Sequence, residues 1–145
     1  VDARVAAAML FVRGGLVRFK TGVANRKLDR LWSKAVRMRD RFRCRWCGST
    51  DRSTVQAAHI HTKKGHPNIR HDPLNGVSLC WKCHFRADHQ DRAQFYKWVE
   101  EWMGTEQYDA LLLASTRPCN MNPTLYETRL SYLNDKLIEL GGETE

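Results

Sequence analysis

Between Asn25 and Arg39 the apolar residues Leu28, Leu31, Trp32, Ala35 and Val36 recur at three- and four-residue spacing, while Arg26, Lys27, Arg30, Lys34 and Arg37 fill most of the remaining surface. That period predicts a basic helix with one buried stripe, delivering the chain to Cys44. The period then changes. Thr54–His61 alternates, with Val55, Ala57, His59 and His61 on one face and Thr54, Gln56, Ala58 and Ile60 on the other, which predicts a strand. A basic, turn-rich loop follows over 62–73, and Gly76–Leu79 reads as a second short strand. From Trp81 to about Trp102 the reading is helical, interrupted near His89–Arg92, with Phe95, Trp98, Val99, Trp102 and Met103 as the apolar stripe. A shorter helix is predicted over Glu106–Ser115 and a loop over Pro118–Pro123. Tyr126, Leu130, Leu133, Leu137 and Leu140 then repeat at four-three-four-three spacing, so a last helix either packs on the domain or pairs with a second copy. Residues 1–24 are basic and apolar by turns around Gly14, Gly15 and Gly22, and read as an arm or short hairpin.

At 145 residues the chain is long enough for one domain with its own core. Three segments are expected: a basic arm over 1–25, the main domain over 26–115, and a loop and helix over 116–145. The formal net charge is +8, which points to a polyanionic partner. The charge is uneven: residues 1–50 hold 13 Lys/Arg against 3 Asp/Glu, whereas residues 101–145 hold 3 against 8. A basic half joined to an acidic half implies one surface facing nucleic acid. No apolar run approaches the roughly 20 residues of a bilayer span, and no segment reads as a signal peptide, so no membrane partner is expected.

Two Cys-x-x-Cys pairs, Cys44/Cys47 and Cys80/Cys83, frame the two predicted strands. Two residues between thiolates let both sulfurs reach one ion from a tight turn, and a second pair closes a tetrahedral shell. A structural Zn²⁺ site is therefore expected, in a reducing cytoplasm rather than in a disulfide scaffold. The alternative, a redox-active Cys-x-x-Cys, does not explain two matched pairs. Cys119 has no partner at such spacing and reads as a free thiol.

In this order, Cys-x-x-Cys, Ala58-His59-Ile60, Asn75 and Cys80-Trp81-Lys82-Cys83-His84 resemble the HNH endonucleases over about residues 28–90. Leu28–Arg39, Ala58-His59 and Arg70 to Asn75 are similar, more narrowly, to phage-associated HNH and recombination endonucleases. The resemblance implies an α+β fold: a ββα-metal (His-Me finger) core on a treble-clef Cys₄ zinc scaffold, flanked by N- and C-terminal helices. It implies that His59 is the general base, that Asn75 holds the loop and orients His59, and that His84 binds a catalytic divalent cation (Mn²⁺, Mg²⁺, Co²⁺ or Ni²⁺). The location it implies is the cytoplasm of a bacterial or phage-infected cell.

One position departs from the pattern. Many HNH enzymes carry Asp or His directly before the base, where this chain has Ala58. Asp88, four residues after His84, is the first candidate for the missing ligand, with His61, His89 or water as rivals. The expected DNA-facing residues are Arg37, Arg41, Arg43 and Arg45 near the first pair of cysteines and Lys63, Lys64 and Arg70 in the loop. Trp46 and Trp81 are read as packing beside the zinc site, with base stacking as the alternative. The expected activity is metal-dependent hydrolysis of DNA phosphodiesters, nicking as a monomer. Two alternatives stay open: a non-catalytic zinc module that only binds DNA, and an endonuclease for branched recombination intermediates.

Overall fold

The computed structural model describes residues 9–12 and 15–143. In chain order these form β1 (Met9–Val12), β2 (Gly15–Arg18), α1 (Thr21–Arg39), β3 (Val55–His59), β4 (Gly76–Cys80), α2 (Trp81–Phe85), α3 (Arg92–Met103), α4 (Thr105–Ser115) and α5 (Pro123–Glu139). The architecture is α+β, and each pair of strands makes its own two-stranded antiparallel sheet. Of the arm expected over 1–25, β1 and β2 pair with Met9 opposite Arg18; residues 1–8, 13 and 14 lie outside the described residues. Helix α1 starts one turn before Asn25, because Ala24 extends the buried stripe of Leu28, Leu31, Trp32, Ala35 and Val36.

A two-stranded hairpin is at best marginal alone, and β3–β4 is sandwiched. Val55 faces Cys80 and His59 faces Gly76 across the ladder, and β4 is buried along its whole length. On one side α1 and α5 close a core of Leu28, Leu31, Trp32, Val36, Leu133 and Leu137. On the other, Ala58, Ile60, Val77 and Leu79 pack with Phe95, Val99 and Leu111 from α3 and α4. Helix α5 buries Tyr126, Leu133 and Leu137 against this chain's own α1, so most of the face that a second copy would need is already covered.

Helix α1 can lie so close to the hairpin because Gly76 has no side chain. A Cβ there would stand 2.5 Å from Val36 Cγ2 and 2.6 Å from Trp32 Cζ2. At its end α1 turns through Arg41 (φ 55°) and Phe42 (φ 54°), a left-handed region that non-glycine residues seldom occupy. The buried Asp40 holds this turn in place. Its carboxylate accepts two hydrogen bonds from Arg39, both 2.9 Å, and one of 2.8 Å from the Ser78 amide of β4. The loop that bears the first cysteine pair is thereby fixed to the strand that ends in Cys80.

Helix α2 leaves β4 directly and runs into a π-helical turn over Arg86–Gln90, closed by the Asp91 amide on the Arg86 carbonyl at 2.8 Å. The interruption expected near His89–Arg92 falls at Asp91, whose side chain caps α3 by accepting from the Gln94 amide at 3.0 Å. No helix among the described residues is long and apolar enough to cross a membrane.

Overpacking at the crossing point should be costly. Gly76→Ala is expected to destabilise the protein by about 1–3 kcal/mol, read from urea unfolding in zinc-supplied buffer. An unchanged midpoint would contradict the close approach of α1.

Candidate functional site

Cys44 and Cys47 come from the loop after α1, Cys80 ends β4, and Cys83 lies in α2. Their sulfurs all lie within 4.8 Å of one another, and Cys47 Sγ is 3.7 Å from Cys80 Sγ. A tetrahedron with metal–sulfur bonds of about 2.3 Å has edges of about 3.8 Å, so the four residues can hold zinc. Burial alone would raise the Cys44 thiol, but backbone hydrogen bonds at Cys47, Cys80 and Trp46 outweigh it and hold its pKa below the ordinary value. Cys83 is pushed up, first by burial and then by the charge of Cys44. Thiolates this close repel each other, and a cation among them removes that cost. Trp46, between Cys44 and Cys47, packs against α3: it stacks on Trp98 at 5.6 Å, and Trp98 stacks on Trp102 at 5.6 Å.

A cleft of about 400 Å³ opens between α1, the end of β3 and α2, lined by Asp29, Trp32, His59, Lys63, His84 and Asp88 among others. His59 is held from two directions. Its ring stacks on Trp32 at 3.7 Å with 10° between the planes, and its Nε2 lies 2.9 Å from the Arg70 carbonyl. A carbonyl only accepts, so Nε2 carries the proton and Nδ1 keeps its lone pair. Burial lowers the His59 pKa to about 4, against the opposing hydrogen bond to the Arg70 carbonyl and the charge of Asp29. The imidazole is therefore neutral at pH 7.

The Arg70 carbonyl is itself fixed. The Arg70 guanidinium donates to Asp29 through Nε at 3.0 Å and Nη2 at 2.8 Å, and His71 Nε2 lies 3.0 Å from the same carboxylate. Arg129 of α5 donates to His71 Nδ1 at 2.9 Å. Because guanidinium cannot accept, His71 must donate from Nε2 to Asp29, as a neutral ring. Its pKa is lowered, mainly by burial. Arg129 also donates to the Pro67 and Asn68 carbonyls, both at 3.1 Å. The loop behind His59 is thus pinned by α1 on one side and by α5 on the other.

Across the cleft, His84 Nδ1 lies 2.7 Å from Gln56 Oε1 and its Nε2 3.2 Å from Asp88 Oδ2. Arg92 donates to the other Asp88 oxygen at 3.1 Å and to the Ile60 carbonyl through Nη2. Gln56 thus fixes the His84 ring so that Nε2 is turned toward the Asp88 carboxylate. One imidazole nitrogen and one carboxylate at an open cleft form a donor set that fits a first-row divalent cation.

Other expected residues sit differently. Asn75 is fully buried and does not reach His59. It clamps the chain beyond β3, donating to the His61 carbonyl at 3.0 Å and accepting from the His61 amide at 2.8 Å. The strand ends at His59 rather than His61, so the alternation that put both on one face stops short. His61 is instead 4% exposed, packed against His66 and Tyr96, with its Nε2 unpartnered. Ala58 is 2% exposed and faces the α3 core. An Asp at position 58 would be a buried charge and not a cleft ligand.

The expected DNA-facing set also divides. Lys63 lines the cleft, half-exposed, with its Nζ 3.8 Å from Asp29, and Lys64 is exposed, but Arg70, its side chain 18% exposed, is bound closely to Asp29. Arg41 and Arg43 are exposed. Arg37 donates back to the Ser33 carbonyl at 3.2 Å, and Arg45 lies with Arg39, Asp40 and Trp102 in a separate depression. Sequence reasoning missed Asp29, Gln56 and Arg92, and took Trp32 for a core residue only. Asp29 had a signal: it is the one acid among the bases of its helix.

Removing metal from the cysteine cluster, or replacing Cys83 by Ser, is expected to unfold the hairpin region and not merely weaken ligand binding. Elemental analysis with far-UV circular dichroism checks this; folded, zinc-free native protein would contradict it. Comparisons of the chain with family models, with curated proteins and with solved structures returned no match.

Proposed function

We propose that this protein is a divalent-metal-dependent DNA endonuclease of the HNH type, with β3, β4 and α2 as a ββα-metal core on a zinc-stapled treble clef. The observation that carries the reading is the cleft itself. It gathers a neutral imidazole with its Nδ1 lone pair available, a His–carboxylate pair on the helix after the hairpin, and a lysine at the rim. The chain's +8 charge favours a polyanionic substrate.

In this mechanism Lys63 and nearby cations seat a phosphodiester in the cleft. His59 Nδ1 takes the proton from the attacking water, while the Arg70 carbonyl and Trp32 keep the ring in one tautomer and one plane. A phosphate nearby raises the His59 pKa by charge and strengthens it as a base. His84 and Asp88 would hold the catalytic cation, which when bound stabilises charge on the phosphate and the leaving oxygen. Gln56 orients His84, and Arg92 orients Asp88. The four cysteines would hold the structural zinc.

Plasmid nicking tests the reading. Cleavage is expected with added Mn²⁺, at a lower concentration than with Mg²⁺ because of the imidazole donor. Replacing His59 by Ala should lower the rate roughly 10²–10⁴-fold while zinc content is kept. No nicking with any divalent ion, or wild-type rates in the variant, would refute the assignment.

The acid limb of kcat/KM gives a second check, since it reports the free enzyme. The base works deprotonated and its pKa is lowered to about 4, so activity should hold as pH falls through 6.5 and be lost only toward 4. A limb centred at 6.5 would show that His59 is not this base.

A further inference from the structure

Helix α2 presents two aromatic rings to solvent beside the cleft. Trp81 is 54% exposed and Phe85 51%. At about 100° per residue they stand about 40° apart on one face, with His84 about 60° from Trp81. The opposite side of the helix is anchored, because Cys83, and Ala87 in the π-helical turn that follows, are buried in the core. The rings are thus carried outward by a fixed backbone. Cations border them: Lys82 Nζ lies 5.7 Å from the Trp81 ring centroid, and Lys63 and Arg92 line the adjoining cleft. Asp88, the carboxylate of the π-helical turn that follows α2, has its oxygens engaged by His84 and Arg92.

We propose that Trp81 and Phe85 form a stacking platform for unpaired nucleobases, so that the preferred DNA has single-stranded character next to the cut. This inference rests on the nuclease reading and adds the substrate class. The chemistry matches in both halves: a nucleobase offers a flat uncharged face to the rings, and its backbone offers phosphate to the neighbouring cations. In a continuous duplex both faces of each base are already stacked. Single strands, junctions and bubbles leave a face free.

The test is fluorescence anisotropy with the full zinc-loaded chain, using Ca²⁺ in place of Mn²⁺ so that binding is read apart from cleavage. Three labelled probes are compared: a 20-nucleotide mixed-sequence strand, the same strand annealed to its complement, and the same strand with abasic sites in its centre. The base-bearing single strand should bind about 10-fold or more tightly than the abasic one, and more tightly than the duplex. Replacing Trp81 and Phe85 together by Ala should remove that advantage and leave abasic binding unchanged. Equal affinity of the wild-type protein for the base-bearing and abasic strands would overturn the platform, even if the double variant fails to fold. Tighter binding of the duplex would overturn it too, and would make the rings wedges for paired DNA. A base preference in a protein that never nicks would refute the nuclease reading and keep the platform; nicking without a base preference would do the reverse.

Discussion

Where α1 crosses the β3–β4 hairpin, the absence of a side chain at Gly76 lets Trp32 and Val36 press against the strand backbone. Three consequences follow from that distance. Trp32 reaches the His59 ring and stacks on it. Its indole donates to the Asp72 carbonyl at 2.8 Å, which fixes the far end of the loop. Asp29, one turn earlier on α1, comes within reach of Arg70 and His71. A helix standing one methyl group farther out would keep its apolar stripe but lose this geometry.

The two ends of the cleft are held by different means. The His59 side depends on a polar network, Asp29–Arg70–His71–Arg129, that joins α1, the loop and α5. The His84 side depends on the cysteine cluster, because Cys80 and Cys83 bracket the start of α2 and set its direction out of β4. Asp40 links the two halves: it binds Arg39 at the end of α1 and the Ser78 amide in β4. Helix α5, which from sequence looked like a packing or pairing element, thus also contributes a cation to the support of His59.

Much of this was legible because it is local. The α1 stripe, the hairpin and the His84–Asp88 spacing are each written in a few neighbouring residues, and the cysteine pairs carry their own geometry. What sequence could not supply were pairings over distance. Arg70 reads as a free phosphate-binding cation until Asp29, 41 positions away, is seen to bind it. Gln56 meets His84 across 28 positions. Ala58 reads as a lost ligand from the family pattern alone; its side chain lies in the core with Ile60, away from the cleft. Because both sides of the hairpin are buried, alternation alone does not say which side carries the cleft.

The cleft turns on a single preset imidazole: His59 neutral, protonated at Nε2, its Nδ1 lone pair available. Long-range ¹H–¹⁵N correlation spectra of the zinc-loaded protein across a pH titration measure this directly. The expected result is an Nε2–H tautomer that stays neutral as pH falls through 6.5 and titrates near 4. An Nδ1–H tautomer, or a midpoint near the ordinary histidine value of about 6.5, would contradict the claim that the fold holds this ring ready as a base.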